Sequence, residues 1–152
     1  MASLNVSLNF IPSKITPNEY KGISRVYFPK WEGWELLDNS NHIDESLVKD
    51  FYNKYFWARI NGDLIEDQHM ANLLFLFSVL SGKKKTLAKV RRILNFSDSV
   101  SDTEAIYKLN RVTNSDFTFL YLYAEIVEFL YSTNNIAYLS LLTKVYYKWL
   151  VR

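Results

Sequence analysis

The sequence predicts an all-α domain. From position 44 almost to the end, apolar residues recur at spacings of three and four, the period of amphipathic helices. The 152 residues hold only 4 Gly and 3 Pro, too few to punctuate a chain of short strands and turns. At 49% apolar residues, a chain of this length can bury a sizeable core as one domain.

Residues 4–10 depart from the helical pattern. Leu4, Val6, Leu8 and Phe10 alternate with Asn5, Ser7 and Asn9, which reads as a short strand ending at Pro12. An unpaired apolar strand needs a partner edge, either on a neighbouring copy or on its own domain. Residues 18–40 read as an irregular aromatic segment. Beyond Asp44, Leu47, Phe51, Tyr55 and Ala58 form a helical stripe, widened by Val48 and Tyr52 and ended by Gly62. A helix from Glu66 to Ser81 follows, with Met70, Leu73, Leu74, Phe77 and Leu80 inward and further apolar residues on its other faces. It is the predicted central helix, stopped by Gly82. The next runs from Lys83 to Asn95. Ser101 and Glu104 have capping-box spacing and open a helix with Ile106, Leu109 and Val112 inward. An aromatic helix spans Asp116 to Tyr131, and Asn134-Asn135 separates it from a last helix, Ile136 to Leu150. The expectation is a body of six helices behind a strand-like arm, with no internal repeat.

Composition narrows the chemistry. The chain has no cysteine, which excludes disulfides, thiol catalysis and Cys-ligated metals. A formal charge of +2 does not by itself imply a nucleic-acid or membrane partner. No apolar run approaches a membrane span, and the first residues lack the basic start and apolar stretch of a signal peptide. His42 and His69 are the only histidines and stand apart without a carboxylate at metal spacing, so no metal or other cofactor is expected.

The most unusual string is Tyr20-Lys21-Gly22-Ile23, followed by Tyr27-Phe28-Pro29-Lys30 and by Trp31 and Trp34 around Gly33. Three further segments accompany it: Phe51 to Trp57 with Ile60-Asn61-Gly62-Asp63, Ala71-Asn72-Leu73-Leu74-Phe75-Leu76-Phe77, and the closing Tyr146 to Arg152. In this order they resemble the phage-type N-acetylmuramidases of glycoside hydrolase family 108, which include the secretion activator proteins. The resemblance covers residues 18–152 and implies a lysozyme-like muramidase helical domain there, with residues 1–17 as an extended N-terminal arm. It also implies where the chemistry belongs. The family's catalytic glutamate, in a Glu-Gly-Gly-Tyr motif upstream of the Tyr-Lys-Gly-Ile-like step, falls near Asn5, and no acid precedes Glu19. Leu76 stands where the family has an aspartate, and Ser99-Val100-Ser101-Asp102 replaces a glycine turn. A muramidase needs a carboxylic acid to protonate its leaving group. The resemblance thus implies a catalytically degenerate scaffold.

The candidate residues follow from this. Glu19 is the replacement acid if the enzyme is active, whereas Glu32 and Glu35, three apart, read as solvating charges on an aromatic loop. Trp31, Trp34, Tyr27 and Trp57, with Tyr55, are the rings that would stack on a glycan, or else build core. Leu4, Val6, Leu8 and Phe10 are the residues of an assembly arm. Lys83, Lys84, Lys85, Lys89, Arg91 and Arg92 form a basic run able to meet phosphate, a nucleic acid or an acidic neighbour, though without interleaved rings for base stacking. The function expected is that of a non-catalytic structural protein of a phage virion, in the tail or neck. Such a protein is made in the host cytoplasm, and its partners are copies of itself and other virion proteins. The alternatives are an active peptidoglycan muramidase with a displaced acid and a module that binds glycan without cleaving it.

Overall fold

The structure is a computed structural model that describes residues 1–40 and 42–152. It is helical throughout apart from one small sheet. The chain begins with α1 (Leu4–Ser7), which tightens into a 3₁₀ turn over Leu8–Phe10. Three two-residue strands follow, β1 (Ile15–Thr16), β2 (Glu19–Tyr20) and β3 (Ile23–Ser24), paired antiparallel in that order. Then come α2 (Gly33–Ser40), α3 (Glu45–Tyr52), α4 (Gln68–Ser81), α5 (Lys83–Ile93), α6 (Asp102–Leu109), α7 (Ser115–Ser132) and α8 (Leu139–Leu150).

α4 is the hub. Met70 to Ser78 are buried without interruption, so apolar side chains leave this helix in every direction. α1, α5, α7 and α8 and the segment after α3 pack around it. Asp67 caps it, its carboxylate accepting from the Met70 N–H at 2.8 Å. Ser101 and Asn114 cap α6 and α7 in the same way, at 3.1 and 2.9 Å. Asn61, Asn95 and Asn134 take left-handed backbone as the chain turns out of the preceding helices.

The helix from Asp44 does not wind evenly. After Tyr52 it opens into a π-helical stretch, Asn53–Trp57, and then tightens into a 3₁₀ turn at Ala58–Ile60. The wider winding changes which residues face inward. Val48, Phe51, Tyr52, Trp57 and Ile60 are buried, while Ala58, which regular spacing placed inside, is exposed.

The N-terminal segment corrects the strand expectation. Leu4–Phe10 is helical, and its buried positions are Leu4, Ser7 and Phe10, a period of three. Val6, expected inside, is 42% exposed, while Ser7 is fully buried. Ser7 is drawn in because its hydroxyl finds a buried acceptor, donating to Asn72 Oδ1 at 2.7 Å. Gln68 Nε2 also reaches Asn72 Oδ1, at 2.8 Å, and the Ser3 carbonyl at 3.2 Å, while the Ser3 N–H returns to Gln68 Oε1 at 2.6 Å. The Ala2 N–H donates to the Ile65 carbonyl at 2.8 Å. Residues 1–17 are therefore no extended arm at positions 4–10, and Leu4 and Phe10 belong to the domain's own core.

Residues 18–40 are more regular than expected. Lys21 and Gly22, with φ of 47° and 85°, link β2 to β3 as a two-residue hairpin loop, with Tyr20 paired to Ile23. The Tyr52 hydroxyl donates to the Lys21 carbonyl at 2.5 Å and pins this turn from α3. Burial pushes the Tyr52 phenol up, and the nearby Tyr138 and Glu19 add to the rise. A Cβ at Gly22 would come within 2.6 Å of the Tyr52 oxygen and 2.9 Å of the Pro12 ring. Phe28 then caps an aromatic cluster, edge-on to Phe51 at 4.8 Å and tilted against Tyr55 at 5.1 Å.

Gly22→Ala is expected to lower unfolding free energy by about 1–3 kcal/mol, because it strains the left-handed turn and crowds Tyr52. Tyr52→Phe, which leaves the Lys21 carbonyl unpaired, is expected to cost about 1–2 kcal/mol. Urea unfolding monitored by circular dichroism measures both.

Four residues of the basic run, Lys83, Lys89, Arg91 and Arg92, pair with carboxylates of the neighbouring helices. α5 packs between α6 and α7, and carboxylates from each face it. Asp102 pairs with Arg91 and, at 3.0 Å, with Lys83, while Glu125 pairs with Lys89 at 2.6 Å and lies 3.7 Å from Arg92. The Lys89 ammonium holds the Glu125 carboxyl below the usual carboxylate range against the opposing effect of burial, with Arg92 adding. Burial pushes the Asp102 carboxyl up, but Arg91 and Lys83 together outweigh it and hold it low. Both carboxyls thus bind a proton less readily folded than unfolded. The stability they contribute is complete above the unfolded carboxylate range, about pH 4–5, and is lost as pH falls through their folded values. The melting temperature is expected to fall steeply below about pH 4, and Glu125→Gln to lower it at neutral pH while flattening that acid limb.

Candidate functional site

Asn5, the position to which the resemblance assigns the catalytic glutamate, stands exposed on α1. Two cavities adjoin at this side chain. The first, of about 410 Å³, lies between the turn after α1, the Lys21 hairpin loop and the start of α3, where Asn5, Asn9, Lys21, Glu45 and Val48 line it. The second, of about 320 Å³, lies between the chain around Leu4 and the far end of α3, lined by Asn5, Lys49, Asp50, Asn53, Trp57 and Asp63. Together they form a cleft along α3, bounded on the other side by α1. The Tyr52 bond to Lys21 sets one end of it. At the other end the Trp57 indole N–H donates to Asp63 Oδ1 at 2.7 Å, fixing both side chains at the π-helical exit from α3.

The carboxylates of this cleft sit in water or are already engaged. Glu45 is 92% exposed at its side chain, with its nearest cation, Lys21, at 3.9 Å. Asp50 is exposed on α3, and Asp63 is exposed and spent on Trp57. A general acid for glycoside cleavage must keep its proton near neutrality, which burial against apolar groups achieves. None of these three has that environment. Glu19, the replacement acid considered from the sequence, lines neither cavity. It sits half-buried on β2, where its charge acts on the Tyr52 and Tyr138 phenols. Glu32 and Glu35 are exposed beside the start of α2. Leu76, where the family has an aspartate, is buried within α4.

The candidate glycan-binding rings divide in two. Trp34 is 3% exposed and donates its indole N–H to the Phe28 carbonyl at 2.7 Å, and Trp57 is 1% exposed. Both are core. Trp31 is half-buried, edge-on to Trp34 at 5.1 Å, and its ring lies so close over Gly33 that a Cβ there would meet it at 2.4 Å. Tyr27 alone of the four is open, at 81% exposure, so these rings make no shared sugar platform. Of the basic run, Lys83, Lys89, Arg91 and Arg92 face Asp102 or Glu125, and Lys85 lies 5.3 Å from the Phe129 ring. Lys84 is exposed on α5. Among the described residues, no three His, Asp or Glu side chains gather where they could share a metal ion. No described helix is long and apolar enough to cross a membrane.

Sequence reasoning reached Asn5 but not Asn9, Lys21 or Glu45 as its neighbours in the cleft. These come together only when the hairpin folds back on α3. Gly22 was the one local signal of a turn, because Lys-Gly is not among the Asn-Gly, Asp-Gly and Gly-Gly pairs that mark two-residue hairpin loops.

Among known proteins, residues 18–82 match the family model of Glycosyl hydrolase 108. No curated protein and no solved structure matches the chain. The matched segment runs from just before β2 to the end of α4, a little under half of the 152 residues, and leaves α1 and Asn5 outside it. Hairpin, aromatic cluster and central helix, residues 18–82, are thus similar to the Glycosyl hydrolase 108 family.

Proposed function

We propose that this chain is a catalytically silent relative of the phage muramidases that acts as a structural component of the phage particle, in its tail or neck. The observation that carries the reading is the cleft at Asn5. An amide occupies the place assigned to the acid, and the neighbouring carboxylates are open to water or committed to Trp57. An amide cannot donate a proton to a departing glycosidic oxygen, so the leaving group departs unprotonated and at a prohibitive barrier.

A second feature supports an assembling role and moves the contact surface away from residues 4–10. α7 carries large apolar side chains on its outer face as well as its inner one, with Glu128 among them. Phe117 is 62% exposed, Leu120 42%, Tyr121 44% and Tyr131 60%, spaced so that they share a side of the helix. An apolar stripe of this kind is a contact surface for another protein. In a virion the partners would be other copies of this chain or neighbouring virion proteins.

Purified protein is expected to leave Gram-negative peptidoglycan turbid under conditions in which an active family 108 muramidase clears it. Clearing by the wild type that disappears in Glu45→Gln or Glu19→Gln would instead identify an enzyme with a relocated acid. Light scattering on a sizing column is expected to give a mass above one chain at high concentration. Phe117→Ser with Tyr121→Ser is expected to return it to one chain without changing the circular dichroism. A monomeric wild type at every concentration, with no mass change in the variant, would count against self-assembly.

A further inference from the structure

A larger cavity, of about 810 Å³, opens between α1 with its 3₁₀ turn, the first turn of α4 and α8. It is separate in its lining from the Asn5 cleft except for Asn9, which borders both. Val6, Phe10 and Tyr147 give it an apolar wall. Its charged groups are of one sign. Lys144 and Lys148 stand one turn apart on α8, and no Asp or Glu lines the cavity. The nearest acid along α4, Asp67, is engaged with the Met70 N–H of its own helix. Among the described residues neither lysine joins an ion pair, in contrast to Lys83, Lys89, Arg91 and Arg92 on α5. His69 also lines the cavity, and its Nδ1 is buried without a hydrogen-bond partner. Buried polar atoms are seldom left so, and one beside a one-sign cavity is a group waiting for a ligand atom or a water.

We propose that this cavity binds a small amphiphilic anion. Its apolar body lies against Val6, Phe10 and Tyr147, and its carboxylate or phosphate head sits between Lys144 and Lys148 with His69 beside it. The volume is that of a small-molecule pocket, and an apolar wall with a few convergent polar groups is how such pockets are built. Two lysines one turn apart on α8 supply the charge-assisted hydrogen bonds that make anion recognition strong. The site makes no use of the Asn5 cleft, so it stands whether or not the chain cleaves peptidoglycan.

The test is a titration of ¹⁵N-labelled protein with octanoate and with octyl phosphate, using neutral octyl glucoside as the control. Saturable amide shifts are expected around Phe10, His69 and Lys144 with either anion. The Lys144→Gln, Lys148→Gln double variant is expected to weaken both by about tenfold or more. Both lysines are exposed on α8, so the variant's spectrum away from the cavity should be unchanged. Lys84→Gln, another exposed lysine, is expected to bind as the wild type does. The proposal is overturned if neither anion gives a saturable shift, if octyl glucoside binds as tightly at the same residues, or if the double variant binds like the wild type.

Discussion

Burial of α4 on every side is the constraint on which the rest depends. A helix apolar all round cannot lie on a surface, so other elements must cover each of its faces. Its large buried side chains, Leu73, Leu74, Phe75, Leu76 and Phe77, each contribute about 1.5–3 kcal/mol on leaving water. That gain recruits the end of α3 and the aromatic segment after it on one flank, meeting at Phe75 with Tyr52 at 5.9 Å and Trp57 at 6.0 Å. On another it recruits α7, where Phe77 meets Phe129 at 5.1 Å. A buried amide on the same helix, Asn72, is 2% exposed and recruits α1 through Ser7 and Gln68. The helix thus specifies its neighbours partly by shape and partly by one amide that must be satisfied.

The long helices were legible because their signals are local. Period, caps and stops all lie within a few residues of one another, so Ser101, Gly82 and Asn134 mark boundaries close to those the fold adopts. What misled was decided at long range. Residues 4–10 alternate perfectly in sequence, yet Ser7 turns inward because Asn72, far along the chain, offers an acceptor. Winding after Tyr52 is set by where Trp57 must reach Asp63 and Phe75, not by the period of its own segment. The hairpin at Lys21-Gly22 had only its glycine as a local signal, and three strands of two residues each are too short to show alternation.

The sequence offered one position and no cleft. The resemblance pointed to Asn5, and the fold sets that residue on the wall of two cavities. The rings expected to line a sugar groove went elsewhere, since Trp34 and Trp57 find indole partners in the Phe28 carbonyl and Asp63. A buried tryptophan is as well accounted for by one good acceptor as by a sugar face. The basic run shows the same ambiguity for charge. Spacing along a helix cannot tell a cation facing solvent from one facing a carboxylate on the next helix, and α6 and α7 supply those carboxylates.

The link between Ser7 and Asn72 spans 65 positions, as does that between Ser3 and Gln68. Chains are made from the N-terminus, at about 5–20 residues per second, so the acceptors on α4 follow the first helix by about 3–13 seconds of synthesis. During that interval Leu4 and Phe10 have no native surface to cover. A nascent chain paused within this window presents a sticky, unanchored N-terminal segment. α4 anchors the first helix, and α8, made last, covers the 3₁₀ turn that carries Phe10.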